Sequence, residues 1–330
     1  MEKHFWEDKN IFITGCTGFL GSWLTAELVK QGANIVGLIR DRVPQSLLVN
    51  SGIIDHIRVA HGDICDYHLV ERVIAEYEVD TIFHLAAQTQ VTIANRSPMS
   101  TFETNIKGTW QILEAARHNP TVERIVIASS DKAYGVQTEL PYREDAPLQG
   151  RFPYDVSKSC ADLISLSYAH SYGMPVAVTR FANLYGGGDL NWRRIVPGTI
   201  KSVLRNEQPI IRSDGTFQRD YIYMMDAVRG YLIVGENVMR DDVRGEAFNF
   251  GMDKPATALE MVETIIKISD HPELKPVILD QAENEIPHQY LDSAKAHKLL
   301  GWKPQYDLEA GLNASLKWYE SYFLENNPDL

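Results

Sequence analysis

Short apolar segments alternate with longer segments of helical periodicity through the first half of the chain. The apolar segments are rich in β-branched residues, and several lack polar positions, which is typical of strands covered on both faces. We predict strands over 10–14, 34–39, 57–60, 81–85, 124–129 and 176–181, and helices over 19–31, 67–77, 98–118 and 155–172. Because the segments between strands are long enough for crossover helices, the pattern predicts an α/β fold with a doubly wound parallel sheet.

The pattern becomes less regular after residue 184. It predicts helices near 195–206, 226–238, 257–268, 292–299 and 308–324, and a strand near 247–250. We predict a first domain over residues 1–183 that also takes in about 220–250, and a smaller, partly interleaved domain over 184–330. No proline-rich or serine-rich linker separates the two, so we expect them to pack closely around a ligand cleft.

Composition and charge argue against several classes of protein. With 330 residues, 44% of them hydrophobic, the chain can bury a large core, and its net charge of −12 argues against nucleic acid as a partner. No segment approaches the ~18 apolar residues of a membrane span. Cys16, Cys65 and Cys160 have neither disulfide nor metal-site spacing. We therefore expect a cytoplasmic protein without a metal site, in which short arginine clusters suit a small anionic ligand.

The first predicted strand leads into a glycine-rich loop, TGCTGFLG over residues 14–21, which opens a helix. Glycines at this spacing allow a tight turn and close approach to a pyrophosphate, and the helix N-terminus offers free N–H groups. The alternative is a packing turn. The context favours dinucleotide binding, with the candidate residues Gly15, Thr17, Gly18, Phe19, Leu20 and Gly21.

The end of the second strand indicates which dinucleotide is bound. An acidic residue is usual there when NAD is preferred, whereas Arg40 occupies the position and Arg42 follows nearby. Guanidinium groups suit a 2′-phosphate and slightly favour NADP, while Asp41 could still reach a 2′-hydroxyl of NAD. After the third strand, Asp63 with its neighbour Ile64 is a candidate for contact with adenine, and a turn role for Asp63 is equally compatible with the sequence.

Tyr154 and Lys158 form a YxxxK pair at the start of a predicted helix, where side chains four residues apart share a face. We expect the ammonium, an oxidised nicotinamide and the helix N-terminus to favour the phenolate of the tyrosine. Ser130, at the end of the fifth strand, supplies the hydroxyl that such a pair needs to hold a sugar alcohol.

These features together resemble the extended short-chain dehydrogenase/reductase family, which includes nucleotide-sugar epimerases and dehydratases. The matching segments are TGCTGFLG, HLAA at 84–87, ETN at 103–105, YxxxK, RFANLYG at 180–186, RDY at 219–221 and LGWKP at 300–304. The resemblance implies a Rossmann domain, a retained NAD(P), and a nucleoside-diphosphate sugar bound by the C-terminal domain. It also implies a homodimer in which the helices over 98–118 and 155–172 form an intersubunit four-helix bundle. The apolar residues of the second helix spread beyond a single stripe, which agrees with that dimer.

By position, the resemblance gives Ser130, Tyr154 and Lys158 the roles of a catalytic triad. It implies that Leu85, Ala86 and Ala87 contact the cofactor. The residues that it assigns to the substrate are Gln88, Asn105, Asn183, Arg194 and Arg219.

Asp131 and Lys132 indicate which type of enzyme within this family the chain resembles. Epimerases typically have small neutral residues after the triad serine, whereas 4,6-dehydratases carry an acid and a base. The pair resembles CDP-glucose 4,6-dehydratases, and the end of the second strand resembles GDP-mannose dehydratases. We interpret Lys132 as the base at C5 and Asp131 as the acid at the C6 hydroxyl, which requires the fifth strand to end near Ser129 or Ser130. The alternatives are a C4 or C2 epimerase, a 4-reductase and a non-catalytic dinucleotide-binding regulator.

Overall fold

The computed structural model of the chain describes residues 4–281 and 286–326. Its strands are short, and most of them lie where the apolar segments predict. They are β1 (Asn10–Thr14), β2 (Asn34–Ile39), β3 (Arg58–His61), β4 (Thr81–His84), β5 (Arg124–Ala128), β6 (Val176–Phe181), β7 (Asn183–Tyr185), β8 (Ile210–Ile211), β9 (Gln218–Arg219), β10 (Tyr221–Tyr223), β11 (Ala247–Phe250), β12 (Ala256–Thr257), β13 (Val277–Ile278) and β14 (His288–Gln289).

Seven of these strands form one sheet in the order β11-β6-β5-β4-β1-β2-β3, and every pairing in it is parallel. The chain moves outward from β1 to β3 and then from β4 in the opposite direction, so the strand order reverses between β1 and β4. Ligands of open α/β sheets bind in the crevice outside the carboxyl ends of the strands at such a reversal. The predicted doubly wound parallel α/β fold is confirmed.

Helices cover both faces of the sheet and continue into the second half of the chain. They are α1 (Phe19–Lys30), α2 (Leu47–Asn50), α3 (Tyr67–Glu76), α4 (Val91–Arg96), α5 (Pro98–Phe102), α6 (Gly108–Arg117), α7 (Pro153–Tyr172), α8 (Ile195–Leu204), α9 (Met224–Asn237), α10 (Ala258–Ile268), α11 (Ala294–Leu300) and α12 (Leu308–Asn326).

Two buried clusters lie on opposite faces of the sheet. Leu24 of α1 and Val228 of α9 belong to one cluster, while Val73 of α3 and Ile112 of α6 belong to the other. Because α9 packs on α1 and β11 pairs with β6, the segment from residue 224 to 250 joins this sheet layer. The chain thus returns to the sheet after entering its second half.

A third buried cluster lies outside the sheet layers. It joins α8, α10 and α12 through Ile200, Met261 and Leu312. α8 and several of the small strands that follow residue 182 contribute residues to the same cavity as the loops after β1 and β4.

The helix predicted over 98–118 differs from expectation because it contains a π turn at Glu103–Lys107 between α5 and α6. The turn buries the side chain of Asn105. The short elements α2 and α4 were not predicted, since segments of four to six residues carry too little periodicity and depend on tertiary contacts. α7 begins at Pro153, two residues early, because proline suits the first turn of a helix.

Candidate active site

The glycine-rich loop between β1 and α1 makes a close backbone turn. Gly15 has a φ of 74°, and a Cβ there would lie 2.7 Å from the amide nitrogen of Ala86. A Cβ on Gly21 would overlap the carbonyl oxygen of Gly15. α1 begins directly after Gly18, and no side chain caps its N-terminus. The loop therefore leaves a side-chain-free cradle with unpaired N–H groups, which fits the pyrophosphate of a dinucleotide.

At the end of β2, the guanidinium of Arg40 lies among carboxylates. Its Nε is 2.6 Å from Oδ2 of Asp41, and its Nη1 is 3.8 Å from Oδ2 of Asp63. Arg40, Asp41 and Ile64 line the cavity next to the glycine loop, and Asp63 is absent from its described lining. Asp63 accepts a hydrogen bond from the N–H of Cys65 at 2.8 Å. This hydrogen bond is that of a turn residue, and the contact of Asp63 with adenine stays a prediction.

The loop after β4 contributes three of the predicted cofactor residues to the cavity wall, Leu85, Ala86 and Ala87. Gln88 and Asn105 do not belong to its described lining. Asn105 is buried, and its Oδ1 accepts from the N–H of Gln88 at 2.7 Å. Its Nδ2 donates to the Gln88 carbonyl at 3.1 Å and to Oγ of Ser157 at 2.8 Å. These contacts make Asn105 a clamp between the loop and α7, and the substrate role of Gln88 and Asn105 stays a prediction.

His84 continues this buried network toward the glycine loop. Oγ1 of Thr109 donates to the carbonyl of Asn105 at 2.7 Å, so it accepts from Nε2 of His84 at 3.0 Å. Nδ1 of His84 then accepts from Oγ1 of Thr14 at 2.8 Å. Burial lowers the pKa of His84 to about 3. His84 is therefore a neutral imidazole that ties the end of β1 to the helix carrying Asn105.

The end of β5 carries the predicted acid and base. The strand ends at Ala128, and residues Asp131–Tyr134 form a 3₁₀ turn. Oγ of Ser130 accepts from the N–H of Lys132 at 3.2 Å and donates to Oδ1 of Asp131 at 3.1 Å. Because the strand ends before residue 130, all three side chains line the cavity, which is the geometry that the sequence interpretation requires.

Asp131 is 4% exposed, and burial raises its pKa against the opposing effects of Lys132 and Ser130. Its Oδ2 has no hydrogen-bond partner among residues 4–281 and 286–326. Asp155, at the start of α7, also lines the cavity, and burial raises its pKa while Lys132 lowers it. The site thus places two carboxyl groups with raised pKa values, those of Asp131 and Asp155, close to Lys132.

Gln289 forms hydrogen bonds with two residues of this turn and was not predicted from the sequence. It is fully buried on β14, where its Oε1 accepts from Nζ of Lys132 at 2.5 Å and its Nε2 donates to the carbonyl of Asp131 at 3.1 Å. A single glutamine on a two-residue strand belongs to no local motif, so no sequence signal could have identified it.

Tyr154 and Lys158 lie on the first turns of α7, and both line the cavity. Burial raises the pKa of Tyr154 to about 12, opposed by Ser130 and Arg194. Burial lowers the pKa of Lys158 to about 8, and its Nζ donates to the carbonyl of Ala128 at 2.7 Å. Among the protein's own groups, burial has the largest effect on the pKa of Tyr154, and the phenolate favoured by the ammonium, an oxidised nicotinamide and the helix N-terminus stays a prediction.

The predicted diphosphate residues lie on the opposite wall. Asn183, Arg194 and Arg219 all line the cavity. Nη1 of Arg194 is 3.0 Å from Oδ2 of Asp189, and Nη1 of Arg219 donates to the carbonyl of Pro287 at 3.0 Å. These guanidinium groups face the cavity from the second half of the chain and make that wall suited to an anionic group.

One cavity of about 1430 Å³ extends from the glycine loop past the 3₁₀ turn to these arginines. Its wall includes Trp192 and Arg212, which had no assigned role in the sequence interpretation. Within the described ranges, no group of three or more histidine, cysteine or acidic side chains could hold a metal ion. No helix in the same ranges is long and apolar enough to cross a membrane, and the cytoplasmic location stays a prediction.

Comparison with known proteins agrees with this site. A model of the family described as GDP-mannose 4,6 dehydratase matches residues 12–314. The CDP-glucose 4,6-dehydratase of Salmonella typhimurium is 30% identical and covers 98% of this chain and 93% of its own length. The UDP-glucose 4-epimerase of Thermotoga maritima, solved with UDP-glucose, has a TM-score of 0.87 at 27% identity, over 95% of this chain and 99% of its own.

A similar dehydratase structure contains a bound cofactor. The dTDP-glucose 4,6-dehydratase of Streptomyces venezuelae, solved with NAD bound, has a TM-score of 0.84 at 26% identity and covers 97% of this chain and 99% of its own. The family model spans most of the chain, and the relatives match it nearly end to end. The resemblance drawn from the motifs is confirmed: the chain belongs to the GDP-mannose 4,6-dehydratase family of extended short-chain dehydrogenases/reductases.

Proposed function

We propose that this chain is a nucleoside-diphosphate-hexose 4,6-dehydratase. It oxidises C4 of the hexose, eliminates water across C5 and C6, and gives a 4-keto-6-deoxy sugar nucleotide. The observation that carries this proposal is that Asp131 and Lys132 share one cavity with Ser130, Tyr154 and Lys158. Epimerisation at C4 uses the triad alone, whereas elimination needs an additional acid and base.

The cradle formed by Gly15, Gly18 and Gly21 fits a nicotinamide dinucleotide, and the similar dehydratase structure carries NAD. When bound, this cofactor accepts the hydride from C4 and returns a hydride to C6. The residues that would hold it are Gly15, Thr17, Gly18, Phe19, Leu20, Gly21, Arg40, Ile64, Leu85, Ala86 and Ala87, together with Tyr154 and Lys158.

The choice between NAD and NADP depends on Arg40. The sequence slightly favours NADP, because the guanidinium suits a 2′-phosphate. Asp41 already pairs with Arg40, and Asp63 lies on its other side. A 2′-phosphate would have to replace Asp41 as the partner of Arg40 and would be repelled by both carboxylates. These groups make any preference for NADP small.

The chain's own residues move the protons. Tyr154, aligned by its hydrogen bond with Ser130, would take the proton of the C4 hydroxyl as a phenolate, which the positive charges of the bound oxidised nicotinamide and of Lys158 would favour. Lys132 in its neutral form takes the C5 proton, which the C4 ketone has made acidic, and would give a proton back to C5 when C6 is reduced. Asp131, whose pKa is raised by burial, gives its proton to the C6 hydroxyl, which leaves as water.

The second half of the chain would hold the sugar nucleotide, while residues 1–183 and the returning segment near 220–250 would hold the dinucleotide. Arg194, Arg219 and Asn183 would bind the diphosphate, because they line the cavity on the side away from the glycine loop. CDP-glucose and dTDP-glucose are the first candidates, since relatives are named for these substrates.

We also propose a homodimer. Met99, Trp110 and Leu163 are exposed on α5, α6 and α7, with exposed fractions of 73%, 41% and 57%. These helices pack on one another within the chain. Their exposed apolar side chains would be buried when two copies form the predicted four-helix bundle.

The test is incubation of the purified protein with CDP-glucose, dTDP-glucose, UDP-glucose and GDP-mannose, followed by mass spectrometry and NMR of the products. A product lighter than its substrate by one water, with the 4-keto-6-deoxy pattern, is expected for one sugar nucleotide. Tyr154→Phe should abolish it. The likeness to the UDP-glucose 4-epimerase makes an epimer the second candidate product. An epimer without loss of water would reject the dehydratase and leave the epimerase.

A further inference from the structure

Gln289 connects two parts of the site that are far apart in sequence. Its side chain holds both Nζ of Lys132 and the backbone carbonyl of Asp131, and it is fully buried. A buried amide has a fixed orientation when both of its ends are hydrogen-bonded. Gln289 therefore restricts where the ammonium or amine of Lys132 can lie.

We propose that Gln289 is the positioning residue of the base Lys132 and that it links this base to the strand carrying the diphosphate-binding Arg219. This inference rests on the proposed dehydratase function. Gln289 has no part in the motifs that place the chain in its family, and it acts through Lys132 rather than on the sugar.

The strand pairing provides the link to the substrate. β14 pairs with β9, and Gln289 is the Cα partner of Arg219. The N–H of Asp220 donates to the carbonyl of Gln289 at 3.3 Å, and Nη1 of Arg219 donates to the carbonyl of Pro287. A diphosphate drawn to Arg219 thus binds against the same strand pair that holds the base. Substrate binding and the position of Lys132 are therefore coupled through β9 and β14.

The uncharged amide matters for the chemistry. Lys132 must lose its proton to act as a base, and a carboxylate in place of the amide would favour the protonated form. Asp131 and Asp155 are already close, and burial raises the pKa of each. The other titratable or charged groups that act on these carboxyls are Tyr142, Tyr154, Arg219 and Asp220. The amide oxygen orients Lys132 without adding another negative charge.

Two variants test the proposal, with exchange of the C5 hydrogen into deuterium oxide as the measurement. Gln289→Met removes the contact at similar volume and should slow C5 exchange roughly tenfold or more, while C4 oxidation, followed as reduced nicotinamide absorbance, persists. Gln289→Glu should move the acidic limb of the pH profile of kcat upward by about one pH unit, because the lysine must then deprotonate beside a carboxylate.

Gln137→Met is the matched control. Gln137 donates to the carbonyls of Tyr134 and Pro147 near the same turn but does not touch Lys132. It should leave the pH profile and C5 exchange as in the wild type. If the wild type dehydrates a sugar nucleotide and both Gln289 variants keep its C5 exchange rate and pH profile, the proposal is overturned. A wild type that forms no dehydrated product would instead reject the proposed function itself.

Discussion

In the proposed elimination, the 3₁₀ turn after β5 carries both side chains that transfer protons at C5 and C6. Burial keeps a proton on Asp131 more firmly than water would, and its Oδ2 has no hydrogen-bond partner in the described part of the chain. Lys132 donates to Gln289, whereas Asp131 accepts from Ser130. The two side chains thus have different hydrogen-bond partners, which suits opposite roles in one elimination.

Lys132→Met should abolish exchange of the C5 hydrogen with solvent deuterium, by at least about 100-fold, because the variant lacks the base. C4 oxidation should remain measurable as reduced nicotinamide absorbance, since Ser130, Tyr154 and Lys158 are intact. NMR of recovered sugar nucleotide measures the exchange. Deuterium uptake at the wild-type rate would assign the base to another group, and Lys132 would then only orient the sugar.

Asp41→Asn should tighten NADP binding by about 1 kcal/mol, roughly fivefold, because it frees the exposed guanidinium of Arg40 from its nearest carboxylate. NAD binding should change less. Fluorescence titration of both cofactors measures the ratio of their Kd values. Asp145→Asn is the control, since Asp145 forms another exposed pair, with Arg143. An unchanged ratio would show that the Arg40–Asp41 pair does not set the cofactor preference.

At the scale of elements, His84 joins β1, β4 and the helix formed by α5, the π turn and α6. Its neutral ring makes two hydrogen bonds that bring the ends of these elements together beneath the cofactor loop. A protonated imidazole can only donate hydrogen bonds, so protonation would break at least one of these two bonds inside the buried interior. The strand ends should therefore be sensitive to acid.

The pKa of His84 is about 3 in the folded chain and 6.5 ordinarily. The unfolded state thus binds more protons between these values, and stability is lost as pH falls from 6.5 toward 3, by up to about 1.4 kcal/mol per pH unit. Denaturant unfolding should show a shallower acid slope for His84→Gln than for the wild type. Buried carboxyls affect both proteins alike. The exposed His56, changed to Gln, should keep the wild-type slope, and equal slopes for His84→Gln would contradict the assignment.

At the scale of the whole molecule, the exposed apolar side chains of α5, α6 and α7 predict the dimer. Leu163→Lys should give a monomer at micromolar concentration, because a lysine in the centre of the bundle would bury an unpaired charge. Sedimentation velocity measures the mass. Leu324→Lys, on the exposed side of α12, should remain dimeric. A wild type that sediments as a monomer would reject the dimer.

The amino-acid pattern alone was enough to predict the doubly wound parallel α/β fold, most strands of the sheet and the glycine cradle, and it supplied the residues proposed for the reaction. Each of these depends on local information, because the spacing of apolar residues sets an element and short motifs such as YxxxK set neighbours on one helix face. The strand end before Ser130 could also be inferred, since only that geometry brings Asp131 and Lys132 into one cleft.

The contacts of those residues became known only from the folded chain. Gln289 lies 157 positions from Lys132 and accepts a hydrogen bond from it, and Asn105 bonds to the loop after β4 and to α7. The carboxylate of Asp63 lies beside Arg40 only because β2 and β3 are neighbours in the sheet. Such contacts arise from chain packing between distant segments, and no local pattern records them.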